Sequence, residues 1–104
     1  MDRRLEENLI FTRAAIERTA DPTFEECQWL AVGIMRLSVS LRLSLSSSLR
    51  ITNKFQEAED TLALALNRLH EVAEANWDMR IQFIRDSSVK IAAPILGNRS
   101  PALL

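Results

Sequence analysis

Apolar residues recur along residues 51–83 in alternating steps of four and three: Ile51, Phe55, Ala58, Leu62, Ala65, Leu69, Val72, Asn76, Met79 and Phe83. All but Asn76 are apolar. Such spacing puts them on one seam of an α-helix, with the period of a coiled coil. A second row, Leu66, Ala73, Trp77 and Ile84, broadens the stripe enough to touch two neighbours. The outward positions carry Glu57, Glu59, Asp60, Asn67, Arg68, Glu71, Glu74 and Asp78, which read as a solvated face. A helix over residues 51–83 would be about 50 Å long at ~1.5 Å per residue. A compact chain of this size has a radius of gyration of about 13 Å, so the rod would outrun a monomeric globule. It needs a companion, either another helix of the chain, a second copy or a different protein. One Asn in a seam can fix register and oligomeric state at some cost in stability.

The same reading predicts two more helices upstream. The first covers residues 2–18, with Leu5, Leu9, Thr12 and Ile16 at four–three spacing, Ile10 and Ala14 widening the face, and Asp2 near the positive dipole end. Asp21-Pro22 punctuates the chain and can start the next helix. Thr23 and Glu26 offer an alternative capping box. The second helix covers residues 24–45, with Cys27, Leu30, Ile34, Leu37 and Leu41 as its seam and Gly33 and Met35 off it. From Leu37 to Ser46, Leu or Val alternates with Ser or Arg, which is a strand signature. The apolar residues are mostly Leu rather than β-branched, which favours helix. Val39 and Leu43 then fall opposite the seam and call for a cover.

A break is expected at Ser46, Ser47 and Ser48, since serines compete for backbone hydrogen bonds, with Ser48 or Asn53 capping the long helix. The seam nevertheless stays in phase through Ser44 and Ser48, so an unbroken helix over residues 27–83 is the alternative. Asp86, Ser87 and Ser88 are expected to end or kink the long helix, and Pro94 is costly inside one. The prediction is an all-α, dimeric bundle of about three helices with one long heptad-patterned helix. One domain covers residues 1–97, and a tail covers residues 98–104, able to dock through Leu103 and Leu104.

Composition narrows the function. The 104 residues include two Gly, three Pro and no Tyr, which suits helices rather than a turn-rich β fold. A net charge of −1 gives no whole-chain attraction to nucleic acid or anionic lipid. A single Cys excludes an internal disulfide framework and fits a reducing cytoplasm. No apolar run approaches ~18 residues, so no membrane span is expected.

Candidate chemistry is sparse. His70 with Glu74 one turn on is a His–carboxylate pair, but one pair does not fill a zinc site; a surface ion pair is the plainer reading. Cys27 on a seam acts as a small buried hydrophobe. Glu6, Glu7, Glu25 and Glu26 offset helix dipoles. No phosphate-binding loop, nucleophile elbow or nucleotide fingerprint is present. Neither enzymatic activity nor a cofactor or metal site is therefore expected.

Charge is distributed unevenly. Between Cys27 and Gln56 the charged residues are Arg36, Arg42, Arg50 and Lys54, with no acid. Together with unpaired apolar positions, this predicts a basic, Leu-rich surface that docks an acidic protein partner. Its anchors would be Val39, Leu43, Leu45, Leu49, Ile51 and Phe55, with Arg42 and Arg50 at the rim. Leu62, Leu69, Val72, Asn76, Met79 and Phe83 form the seam, either within the chain or between two copies. The helical blocks 2–18, 24–45 and 51–83 resemble, as architecture, the small all-helical quorum-sensing anti-activators. That resemblance implies a cytoplasmic helical dimer that sequesters a LuxR-type transcription regulator away from DNA. The alternatives are a structural or chaperone-type coiled-coil subunit, which an unbroken 27–83 helix would favour, and a DNA-binding helical dimer.

Overall fold

The computed structural model describes residues 3–44 and 53–97. Over these the chain is all-helical: α1 (Arg3–Glu17), extended by a 3-10 turn (Arg18–Ala20), then α2 (Phe24–Ser44), α3 (Asn53–Ala75) and α4 (Met79–Leu96). No strand occurs among the described residues. Asp2, Leu45, Leu49, Arg50 and Ile51 lie outside them, as do the break at residues 46–48 and the tail at 98–104.

Local chemistry starts and stops the helices. Thr23 opens α2: its Oγ1 accepts the Glu26 N–H at 3.2 Å and lies 3.4 Å from the Glu26 carboxylate. The Thr23 side-chain cap, the first half of the expected capping box, therefore sets the start rather than Asp21-Pro22. The helical reading of the Leu–Ser alternation holds through Ser44. Leu37 and Leu41 face inward, and so do Ser38, Ser40 and Ser44, while Val39 and Leu43 face out. The buried hydroxyls are satisfied locally. Ser38 donates to the Ile34 carbonyl at 2.6 Å and Ser44 to the Ser40 carbonyl at 2.8 Å. Asn8 donates to Ser40 Oγ at 2.6 Å.

The 33-residue rod does not form. α3 stops at Ala75, and Asn76 donates to the Val72 carbonyl both through its N–H, at 2.8 Å, and through its side-chain amide, at 3.3 Å. Asp78 is extended, with φ −117° and ψ 136°, and its carboxylate accepts the Arg80 N–H at 2.7 Å. Asp is a preferred N-cap, so Asp78 starts a new helix where the heptad count continued the old one. Asp86, Ser87 and Ser88 lie inside α4 instead of ending it. α4 accommodates Pro94 near its end and stops at Gly97, whose φ of 61° favours glycine and whose N–H reaches the Ala93 carbonyl at 2.8 Å.

α2 and α3 lie side by side, with α1 and α4 packed on opposite sides of that pair. Side-chain contacts fix the directions. Lys54 on α3 meets Glu6 at 3.5 Å, and Arg68 holds Thr19, so α1 and α3 run parallel. Asn8 meets Ser40 and Thr12 meets Gly33, so α2 runs antiparallel to α1. The Arg80 guanidinium lies 4.4 Å from the Phe24 ring centroid, which places the start of α4 beside the start of α2. The result is an up-down-up-down bundle, 41 × 25 × 16 Å along its principal axes. Its radius of gyration of 13.0 Å is that of a compact monomer.

The core is built from the seams. Leu5, Leu9 and Thr12 of α1, Cys27, Leu30, Ile34, Leu37 and Leu41 of α2, and Phe55, Ala58, Leu62, Ala65, Leu69 and Val72 of α3 are all buried. The α3 seam is thus covered within the chain. Of its second row, Leu66 and Ala73 are buried, Ile84 is half-buried and Trp77 is exposed. On α1 the buried face is narrower than expected, since Ile10 and Ala14 are exposed. Gly33 is buried rather than peripheral: a Cβ there would lie 3.2 Å from Thr12 Cα, so glycine is what lets α1 and α2 approach. Arg68 is not part of the solvated face. Its Nε donates to Thr19 Oγ1 at 2.7 Å and a second guanidinium nitrogen donates to the Thr19 carbonyl, closing the end of α1.

Candidate functional site

α2 contacts all three other helices, yet one side of it stays open. Its inward arc runs from Gly33 and Ser40, against α1, through the seam to Ala31 and Ser38. At about 100° per residue the remaining arc holds Gln28, Val32, Met35, Val39 and Leu43 in a line. Val39 is 51 % exposed and Leu43 64 %. Trp29 borders the line near its start, where its ring packs edge-on to Phe11 with centroids 6.0 Å apart. Two shallow depressions follow this side. One, of about 430 Å³, is lined by Glu25, Gln28, Trp29 and Val32. The other, of about 250 Å³, is lined by Arg4, Asn8, Met35, Arg36, Val39 and Ser40.

Cations edge the line on both flanks. Arg36 lies toward α1, its guanidinium carbon 4.9 Å from the Phe11 centroid. Arg4 joins it from α1, and Arg42 falls on the opposite flank. Among the described residues, no carboxylate pairs with any of the three. The ion pairs lie elsewhere: Lys54 with Glu6 and Glu57, Arg13 with Glu57, Arg68 with Glu71, Arg80 with Asp78 and Arg85 with Asp86.

The expected docking residues thus divide. Val39, Arg42 and Leu43 share this open side. Phe55 is only 6 % exposed and belongs to the core, because its α3 position is in phase with Ala58 and Leu62. Leu45, Leu49, Arg50 and Ile51 are outside the described residues. Val32, Met35, Arg36 and Arg4 complete the surface without having been singled out as anchors. Their signal was present in the three- and four-residue steps linking Val32, Met35, Val39 and Leu43, but the stronger inward seam masked it.

A second apolar site lies at the α3–α4 corner. Trp77 is exposed there, Met79 is 87 % exposed and Phe83 73 %. Asn76, expected inside the seam, is exposed beside them. The α4 axis turns these residues away from the α3 seam they would have extended.

The reactive side chains are otherwise occupied. Burial, and then the neighbouring Glu26 carboxylate, raise the Cys27 thiol pKa and disfavour the thiolate. His70 Nε2 lies 3.7 Å from Glu74 on the same helix face, as a surface pair. Among the described residues no cluster of three His, Cys, Asp or Glu forms a metal site, and no helix is long and apolar enough to cross a membrane. Comparison with protein-family models, with curated proteins and with solved structures finds no match to this chain.

Proposed function

We propose that the protein is a non-enzymatic regulator that binds and inhibits a protein partner through the open side of α2. The observation carrying this reading is that the central helix of the bundle keeps Val32, Met35, Val39 and Leu43 in one line outside the core, between Arg36 and Arg42. Scattered exposed apolar residues are ordinary, whereas a contiguous, polar-rimmed line is a feature of interaction sites. Full burial of an aliphatic side chain yields roughly 1.5–3 kcal/mol, and these are already partly covered, so each adds on the order of 1 kcal/mol. That sum is small against the cost of association. The arginine rim must therefore contribute to affinity as well as to orientation.

A LuxR-type transcription regulator is the partner the architectural resemblance nominates, met in the cytoplasm. Pairing of two copies is assigned to the corner formed by Trp77, Met79 and Phe83, whose surrounding charges are largely neutralised by their own pairs, Asp78–Arg80 and Arg85–Asp86. The alternative of a structural or chaperone-type coiled-coil subunit is less favoured by this reading, because the unbroken 27–83 helix that would support it is at odds with α2 and α3 packing side by side and α3 ending at Ala75.

The test is a titration of the protein into a regulator–DNA complex, followed by gel shift. The wild type should release the DNA. Leu43→Asp combined with Val39→Asp should not, while its circular dichroism stays helical. Equal release by both proteins overturns the assignment. Separately, light scattering should show a dimer that Phe83→Glu converts to monomer.

A further inference from the structure

We infer that the open side of α2 takes an amphipathic helix whose apolar ridge is bordered by carboxylates. This rests on the reading of that side as a docking surface and specifies what docks there. The shape argues for a helix. Val32, Met35, Val39 and Leu43 make a straight ridge one helix wide, in steps of three and four, with depressions beside it. Ridges at this spacing fit the grooves of another helix, and helix-in-groove recognition reads anchors at the same intervals.

The charge argues for acid. Arg36 and Arg4 border the ridge on the α1 side and Arg42 on the other, and none meets a carboxylate among the described residues. Arg42 has a local explanation, since it lies in the last turn of α2 where a cation offsets the dipole. Arg36 lies two turns earlier, away from the dipole, and its contact within the chain is with the face of Phe11 rather than with a carboxylate. Arg4 lies in the first turn of α1, at the positive end of its dipole, where a cation is unfavourable. Arg4 thus works against local helix stability, and it meets Arg36 at one apolar depression.

The same layout disfavours other occupants. A second copy apposed through the Met35–Leu43 end of this side would bring Arg36 and Arg42 against the same residues of its partner, away from Glu25 at the other end. Nucleic acid would meet an apolar ridge between few cations, where phosphate tracking needs a denser basic surface. Carboxylates flanking an apolar helix face satisfy both the ridge and its rim, and they give a salt-dependent association.

The test uses two labelled synthetic helices with the same Leu ridge, one flanked by Glu and one by Lys, measured by fluorescence anisotropy against the full chain. The Glu peptide should bind at least about tenfold more tightly than the Lys peptide and weaken as NaCl rises. Arg36→Glu combined with Arg42→Glu should reverse the preference, with circular dichroism unchanged. If that pair costs helix content, Arg36→Gln with Arg42→Gln should still abolish the preference. Equal binding of the two peptides, tighter binding of the Lys peptide, or no binding of either up to about 1 mM overturns the proposal. So does a dimer that dissociates on Val39→Asp with Leu43→Asp, which would give the surface to a second copy. Failure of the docking surface itself is separable. If those apolar substitutions release the regulator but the arginine substitutions do not, the surface stands and the acidic helix falls. If neither set matters, both fall.

Discussion

One heptad pattern meets two fates in this molecule. From Phe55 to Val72 its members are sealed between helices of the same chain. From Asn76 to Phe83 the count continues in phase, and the side chains end in solvent. Periodicity establishes which residues would share a face if the helix ran on; it does not make the helix run on. Asn76 and Asp78 supply a stop and a start within three residues. A side-chain oxygen that caps a backbone N–H outweighs one more turn of seam, because that turn has nothing to pack against.

The sharpest way to break this contrast is to truncate one residue from each half. Leu69→Ala opens a cavity in the core and should cost roughly 2–5 kcal/mol in urea unfolding. Next comes the contact that closes α1 against α3. Arg68→Ala removes its hydrogen bonds to Thr19, leaving a half-buried carbonyl unpaired, and should cost roughly 1.5–3 kcal/mol by the same measurement. A smaller effect is expected at the boundary. The Arg80 N–H, and then the Arg80 side chain, hold the Asp78 carboxyl below its ordinary value of 3.8. A depressed folded pKa contributes stability that is complete above the unfolded value and is lost as pH falls through the folded one. Thermal melts should therefore show a drop in acid below 3.8 that Asp78→Asn diminishes, with little difference near neutral pH because Asn also caps helices. Smallest of all, Phe83→Ala should change the unfolding free energy of the monomer by less than about 0.5 kcal/mol. A loss comparable to that of Leu69→Ala would mean the two halves are not different after all.

Much of the bundle was legible in the sequence. The seams of α1, α2 and α3 are core, and α2 spans what its pattern predicted, because burial of Leu and Ile at helical spacing dominates the energetics. The α3–α4 turn was not recognised, since Asn76 fits a coiled-coil register position as well as a helix end, and Asp78 fits a solvated face as well as a cap. Arg68 was read as solvated because its partner, Thr19, is remote in the chain. The docking surface was half visible. Val39 and Leu43 stood out as misplaced on a helix, but the arginine at the start of α1 joins them only through the tertiary fold, and Phe55 was drawn in by proximity in sequence to residues it does not accompany in space.

The inward turn of Ser38, Ser40 and Ser44 has a further consequence. A serine-rich stretch beside arginines looks, on paper, open to phosphorylation. In the folded chain these hydroxyls are buried, those of Ser38 and Ser44 on their own helix backbone and that of Ser40 against Asn8 of α1, and a phosphate would bring nearly two negative charges into those contacts. A kinase would have to wait for the helices around α2 to part, so these serines are closed to that kind of signalling for as long as the bundle holds.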